Sequence, residues 1–325
     1  MMSPNAPQPS HGPLRRSARR AGALALTACL IAAGGCGLRM GEGSPASLET
    51  PSQAQAQRDA LARQAVLIST TAQVVSATGA EGSQTAVSVH SSAQAQVEAL
   101  GGVWQPWATA VPTTYPTATP LATAGSDATT ADLLAALQHG ATMATQASFN
   151  ATDPAEAQLY ASLAASWSAS VEILAPGTIE TSPRSSKESQ AGSQSLSGEL
   201  VRAYDAARYA CQEVAARSQG SDRELASDDA AVASAVVNAA VSAGSEDSRL
   251  AAYGAPTEPA SGTESLDVTW ARQVWSDLVT AEIQQVAATK AGTPERQAAV
   301  GAVVDAALRA QSWGEALPSL PGYAS

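Results

Sequence analysis

The chain has 325 residues, with 18 basic against 29 acidic side chains for a formal charge of −11, and only 4% aromatic residues. An acid excess of this size repels phosphate backbones, which argues against nucleic acid as a partner. Alanine dominates the composition, and runs of Val, Ile and Thr at period two are absent. Alanine has the best intrinsic helix propensity and lets helices approach closely, so the fold class is all-α.

The first element is a leader. Arg15-Arg16-Ser17-Ala18-Arg19-Arg20 precedes an apolar run from Ala21 to Ala33, and Gly34-Gly35-Cys36-Gly37 closes it. A basic start, an apolar segment too short to span a bilayer and a cysteine after small residues predict a lipoprotein signal peptide over residues 1–35. Cys36 is the expected lipid attachment site, where a diacylglycerol on the thiol would hold the protein on the extracytoplasmic face of the cell membrane. Leu26-Thr27-Ala28-Cys29 is a rival lipobox, closer residue by residue but leaving only Ala21 to Ala28 as apolar core. The paired arginines leave both general and twin-arginine export open.

Removal of residues 1–35 takes four arginines and no acid, leaving 14 basic and 29 acidic residues and a formal charge of −15. Such a surface does not dock on anionic lipid by charge, so the acyl group must do the anchoring. Cys211 is then alone among unmodified cysteines, with no disulfide partner and no thiolate cluster.

Residues 36–50 read as a flexible Gly/Ser/Pro tether. A first helix, Ser52 to Ala77, repeats Leu61, Ala65, Ile68, Ala72 and Val75 at helical spacing. The second, Ser83 to Leu100, sets Val87, His90, Gln94 and Val97 in line and stops at Gly101-Gly102. Pro106, Pro112, Pro116 and Pro120 exclude helix from the connection Val103 to Ala128. A third helix begins after Asp127 or Thr130 with Leu134, Leu137, Ala141 and Ala144. Asp153-Pro154 then opens a fourth, with Leu159, Leu163, Trp167 and Leu174.

Residues 176–196 form a second linker, poor in apolar side chains, after which the pattern restarts. Leu200, Tyr204, Ala207, Cys211 and Val214 mark a fifth helix, and Val232, Val236 and Ala239 a sixth. Trp275, Val279, Ile283 and Val286 mark a seventh, and Thr293-Pro294 starts an eighth with Val300, Val303, Ala307 and Trp313. Helix, helix, longer connection, helix, helix occurs twice. The expectation is two tandem four-helix bundles, residues 51–175 and 197–325.

Leu200-Val201-Arg202-Ala203-Tyr204-Asp205-Ala206-Ala207-Arg208-Tyr209, the tryptophan-bearing seventh helix, and Trp313-Gly314 with Leu317-Pro318-Ser319-Leu320-Pro321-Gly322 resemble an actinobacterial family of unknown function. Its members are envelope proteins of the ferritin-like superfamily. Ala99-Leu100-Gly101-Gly102-Val103-Trp104 resembles the region before that domain in similar lipoproteins. The resemblance implies a ferritin-like second bundle and no assigned activity.

A ferritin-like di-metal centre takes one Glu from each of two helices and Glu-x-x-His from each of the others. The chain has no Glu-x-x-His, no histidine after residue 139, and Tyr204, Ala207 and Cys211 on the fifth helix; Glu282 alone adjoins the apolar face of the seventh. No metal and no other cofactor are expected. His90 reads as a hydrogen-bonded core residue, His139 as a solvent residue, and Cys211 as a small buried hydrophobe. There is no Gly-x-Ser-x-Gly elbow and no phosphate loop. No catalytic residues are assigned, and the chain is not expected to be an enzyme. Trp104, Trp107 and Tyr115, interleaved with prolines, either pin the long loop or offer a docking surface. The expected function is non-catalytic interaction or scaffolding in the cell envelope, with an envelope protein as partner. The alternative is a module holding a small apolar or envelope-derived ligand near Tyr204, Trp270 and Trp275.

Overall fold

The computed structural model describes residues 50–106, 119–180, 184, 196–260, 262 and 264–323. Cys29, Cys36, the leader, Trp107 and Tyr115 lie outside them. The described residues hold eight helices and no strand: α1 Gln53–Ser76, α2 Ser83–Ala99, α3 Thr130–Asn150, α4 Pro154–Leu174, α5 Gly198–Arg217, α6 Gly220–Ser242, α7 Leu266–Ala288 and α8 Pro294–Ser312. None of these helices is long and apolar enough to cross a membrane.

Most helix starts are fixed by local chemistry. Ser52 with Gln55 and Thr129 with Asp132 form reciprocal capping boxes on α1 and α3. Asp153, Ser197, Ser265 and Thr293 each accept a first-turn backbone N–H, and Pro154 and Pro294 occupy the position whose N–H has no helical partner.

The helices pair as antiparallel hairpins, α1 with α2, α3 with α4, α5 with α6 and α7 with α8. In the first half α1 also packs on α3 and α2 on α4, so the chain crosses the bundle diagonally between α2 and α3. In the second half α5 packs on α7, and α6 reaches α8 through the Asp229–Arg309 ion pair. The halves meet through α4, which lies against both α7 and α8, and one hydrophobic core runs through residues 51–175 and 197–325 alike.

The C-terminal tail ties that junction. The buried Gln96 amide donates to Ser166 Oγ and to the Ser319 carbonyl and accepts from Trp167 Nε1 at 2.7 Å. Ser162 Oγ donates to the Pro321 carbonyl at 2.8 Å. Gly322 has φ +68°, and a Cβ there would stand 3.1 Å from Val279 and Ile283.

Two expected faces shift by one residue. On α2 the buried side is Ala86, Val89, Ala93 and Gln96, whereas Val87 is 51% exposed and Gln94 is exposed. On α6 the buried residues include Ala233, Val236, Val237 and Ala240, with the expected Val232 and Ala239 on the flank, whereas on α3 the expected Leu137, Ala141 and Ala144 are buried beside Leu133. Alanine is the reason: close helix contact selects the smallest side chains, and larger ones are displaced to the rim.

Gly140 marks the tightest approach. A Cβ there would lie 2.9 Å from the Trp167 ring and 3.2 Å from Ile68. Alanine is a better helix former than glycine by about 1 kcal/mol. The rigid indole cannot yield, however, so Gly140→Ala is expected to lose about 1–3 kcal/mol in a thermal melt. A gain would show that α3 and α4 can part at no cost.

Candidate functional site

The second half carries an unusual amount of buried charge. Glu282 on α7 and Asp229 on α6 are both 0% exposed, and Asp305 on α8 is nearly so. Charges this deep persist only when paired and hydrogen-bonded.

Glu282 is held by two partners. Arg184, from the linker, presents Nε and Nη2 to the two carboxylate oxygens at 2.5 Å. Tyr204 on α5 donates its hydroxyl to Oε1 at 2.7 Å. Burial, and then the negative charge of Glu282, push the Tyr204 phenol well above its usual value, so it stays a donor. Burial works against the charge on Arg184, but the Glu282 carboxylate more than offsets it and raises the guanidinium pKa.

Asp229 forms the second layer. It accepts from Trp275 Nε1 at 2.8 Å, Trp313 Nε1 at 2.7 Å and Arg309 Nη1 at 2.5 Å. Burial raises the Asp229 pKa, and the indole and guanidinium donors pull the other way. Arg309 also donates to Asp305 at 2.9 Å, one turn back on α8, and stacks over the Trp275 ring with its carbon 5.1 Å from the centroid. At the outer edge Asp205 is capped by Arg208 and by the Tyr253 hydroxyl, whose pKa rises to about 12, through burial first and Asp205 second.

The residues singled out in the sequence fall as follows. Tyr204, Ala207, Cys211 and Glu282 are all buried in the second half, and Tyr204 and Glu282 meet directly. Trp275 is buried but gives its N–H to Asp229, and Trp270 packs edge-on to Tyr209. His90 is half-buried, bonded through Nδ1 to the Ser69 carbonyl at 2.9 Å, and His139 is exposed on α3. Trp104 is half-buried, its backbone N–H donated to Asp59.

Asp229, Asp305 and Arg184 were not singled out. Asp229 sits beside Asp228 in a polar run that looks solvated, and Arg184 belongs to a stretch without apolar pattern. An acid one turn from alanines, at the spacing of Ala226, Asp229 and Ala233, is the signal that would have found the first.

The donor set does not fit a di-metal centre. Among the described residues no group of three or more His, Cys, Asp or Glu side chains could hold a metal ion. Among the described residues the interior of the second half offers four carboxylates, Asp205, Asp229, Glu282 and Asp305, and no histidine, and each carboxylate accepts from an arginine. This polar core is arranged to neutralise itself.

Cys211 lies in the same core, fully buried, and burial with the nearby Asp229 charge raises its thiol pKa above the usual 9.0. A raised acid is protonated in the fold and loses its proton first in the unfolded chain. The stability it contributes is therefore complete below pH 9 and lost above it, with Tyr204 adding the same effect from its usual 10.0 upward. Melting temperatures are expected to fall as pH climbs through 9 and 10, and Cys211→Ala to flatten the first part of that fall. Peptide mapping after alkylation should find Cys211 unmodified in the native protein.

No protein-family model, no curated protein and no solved structure matches the chain.

Proposed function

We propose that the chain is an exported lipoprotein, held at Cys36 on the extracytoplasmic face of the membrane, whose helical body acts as a non-catalytic interaction or scaffolding element of the cell envelope. The anchor is supported by the order of basic residues, apolar run and small residues before Cys36. The observation that carries the non-catalytic reading is the saturation of Glu282, Asp229 and Asp305 by Arg184, Arg309, Tyr204, Trp275 and Trp313. A catalytic acid or base needs a proton path to a reacting group, and these carboxylates accept instead from the chain's own donors. Two hairpins joined by a crossover support the ferritin-like reading of the second half, with its metal ligands replaced by an internal ion-pair core.

Two measurements test this. Cys36→Ser should release the protein from membranes in a fractionation; release by Cys29→Ser alone would move the anchor. A native mass spectrum of the protein from its own host should give the mass of the lipidated chain. An excess fitting one or two metal ions would overturn the scaffold reading.

A further inference from the structure

An open pocket of about 550 Å³ lies where α1 and α3 meet residues 124–128, just ahead of α3. Leu67 and several alanines make much of its wall apolar. Two polar side chains of that wall are deeply buried, Gln64 at 8% exposure and Thr71 at 3%. Gln64 donates Nε2 to the Ala136 carbonyl at 2.7 Å, and among the described residues its Oε1 accepts from nothing. Thr71 donates its hydroxyl back to the Leu67 carbonyl at 2.8 Å, which leaves its oxygen as an acceptor. An amide oxygen this deep costs stability unless water or a ligand brings it a donor.

Asp127, Asp132 and His139 line the same pocket from exposed positions. Asp132 accepts from the Thr129 backbone N–H and hydroxyl in the cap of α3. Those donors are neutral: the hydroxyl, and then the N–H, hold the Asp132 carboxyl below its usual range and leave its charge uncancelled. No lysine or arginine is among the described side chains that line the pocket. Arg63, next to Gln64 on α1, is turned to Asp59 and to the Thr119 and Pro120 carbonyls. The pocket therefore presents acceptors and negative charge beside an apolar wall.

We propose that this pocket binds an organic diammonium ion, a short alkyl diamine or polyamine, whose ammonium groups meet Asp127, Asp132 and Gln64 Oε1 while its methylenes lie on Leu67 and the alanines. An anion would face two carboxylates with no counter-charge, and a neutral apolar ligand would leave Gln64 Oε1 without a donor. A bare metal ion does not fit, because among the described residues no group of three or more His, Cys, Asp or Glu side chains could hold one. The volume is that of a small molecule. A diamine carries both the charge and the apolar stem that the wall calls for. This ligand is an addition to the scaffold reading and does not depend on the anchor at Cys36.

The test titrates putrescine into the full chain in a non-ionic detergent and follows the histidine ring signals by NMR. The His139 signals should shift and saturate in the millimolar range, while those of His90, held to the Ser69 carbonyl, stay in place. Butylamine, with one ammonium group, should bind several-fold more weakly. Asp127→Asn should weaken putrescine about fivefold, the worth of an exposed ion pair, and Asp132→Asn, which keeps an oxygen for the cap, likewise. Gln64→Leu should weaken it in the same direction, whereas Glu258→Gln, at an exposed acid of the second half, should leave it unchanged. Unmoved His139 signals, or unchanged affinity in Asp127→Asn, overturn the proposal. So do equal shifts with magnesium chloride at the same ionic strength, which would reduce the effect to general counter-ion screening.

Discussion

Replacing Arg184 with alanine is expected to destabilise the protein by about 3–5 kcal/mol, because the substitution leaves a carboxylate buried with no cation. The Arg184 side chain is 9% exposed and Glu282 not at all, so water cannot take over the lost pairing. Tyr204 still donates one hydrogen bond to Oε1, but a neutral phenol does not balance the charge. The converse substitution, Glu282→Gln, should cost somewhat less, since the amide oxygen can still accept from Arg184 and Tyr204. The double variant Arg184→Met, Glu282→Leu separates the value of the pair from the cost of breaking it. Buried ion pairs replaced whole by apolar groups are often neutral. The double variant is therefore expected within about 1–2 kcal/mol of wild type, well above either single variant. Urea denaturation followed by circular dichroism measures all three. A loss below about 1 kcal/mol for Arg184→Ala would mean that the pair behaves as a solvated one.

How much of this could be read from the sequence follows from what helical periodicity encodes. The eight helices were legible because apolar spacing, caps and prolines agree along the chain. Leu200, Tyr204, Ala207, Cys211 and Val214 of α5 are all buried as their spacing requires. The α2 face was misread by one position because its contacts are alanines, and the eye follows Val87 and Val97. The polar core was half legible. Glu282 stands out among apolar neighbours on α7, but its partner Arg184 is 98 residues away in a serine-rich stretch where no pattern marks burial. Long-range pairing leaves no local trace. Asp229 was hidden for another reason: its three donors come from α7, α8 and the residue after α8, and only the fold brings these together.

The second large effect is expected at Arg296, on the first turn of α8. Its side chain is 2% exposed in residue terms, yet among the described residues no carboxylate pairs with it. Its partners are carbonyls. Nη1 donates to Ser148 and Ala151, Nη2 to the Thr289 carbonyl and Nε to the Thr289 hydroxyl at 2.9 Å. Ser148 and Ala151 are at the C-terminal end of α3, and Thr289 caps the C-terminal end of α7. Both helix ends leave carbonyls without intrahelical partners and carry the negative pole of the helix dipole. One guanidinium thus serves two helix ends, one in each half of the molecule, beside the Gly292 N–H that donates to the Phe149 carbonyl at 2.8 Å. Arg296→Met keeps most of the apolar stem and removes every donor. It should cost about 3–5 kcal/mol, since charge-assisted bonds are lost and buried carbonyls are left unsatisfied. Arg296→Lys keeps the charge but offers a compact ammonium in place of the planar fork, and it cannot reach carbonyls on both helices at once. Lysine should therefore recover part of the loss and no more. Urea melts of the two variants decide the point: equal stability of Lys and Arg would reduce Arg296 to a general counter-charge for helix dipoles, whereas the expected deficit places its value in the fork that joins α3 to α7.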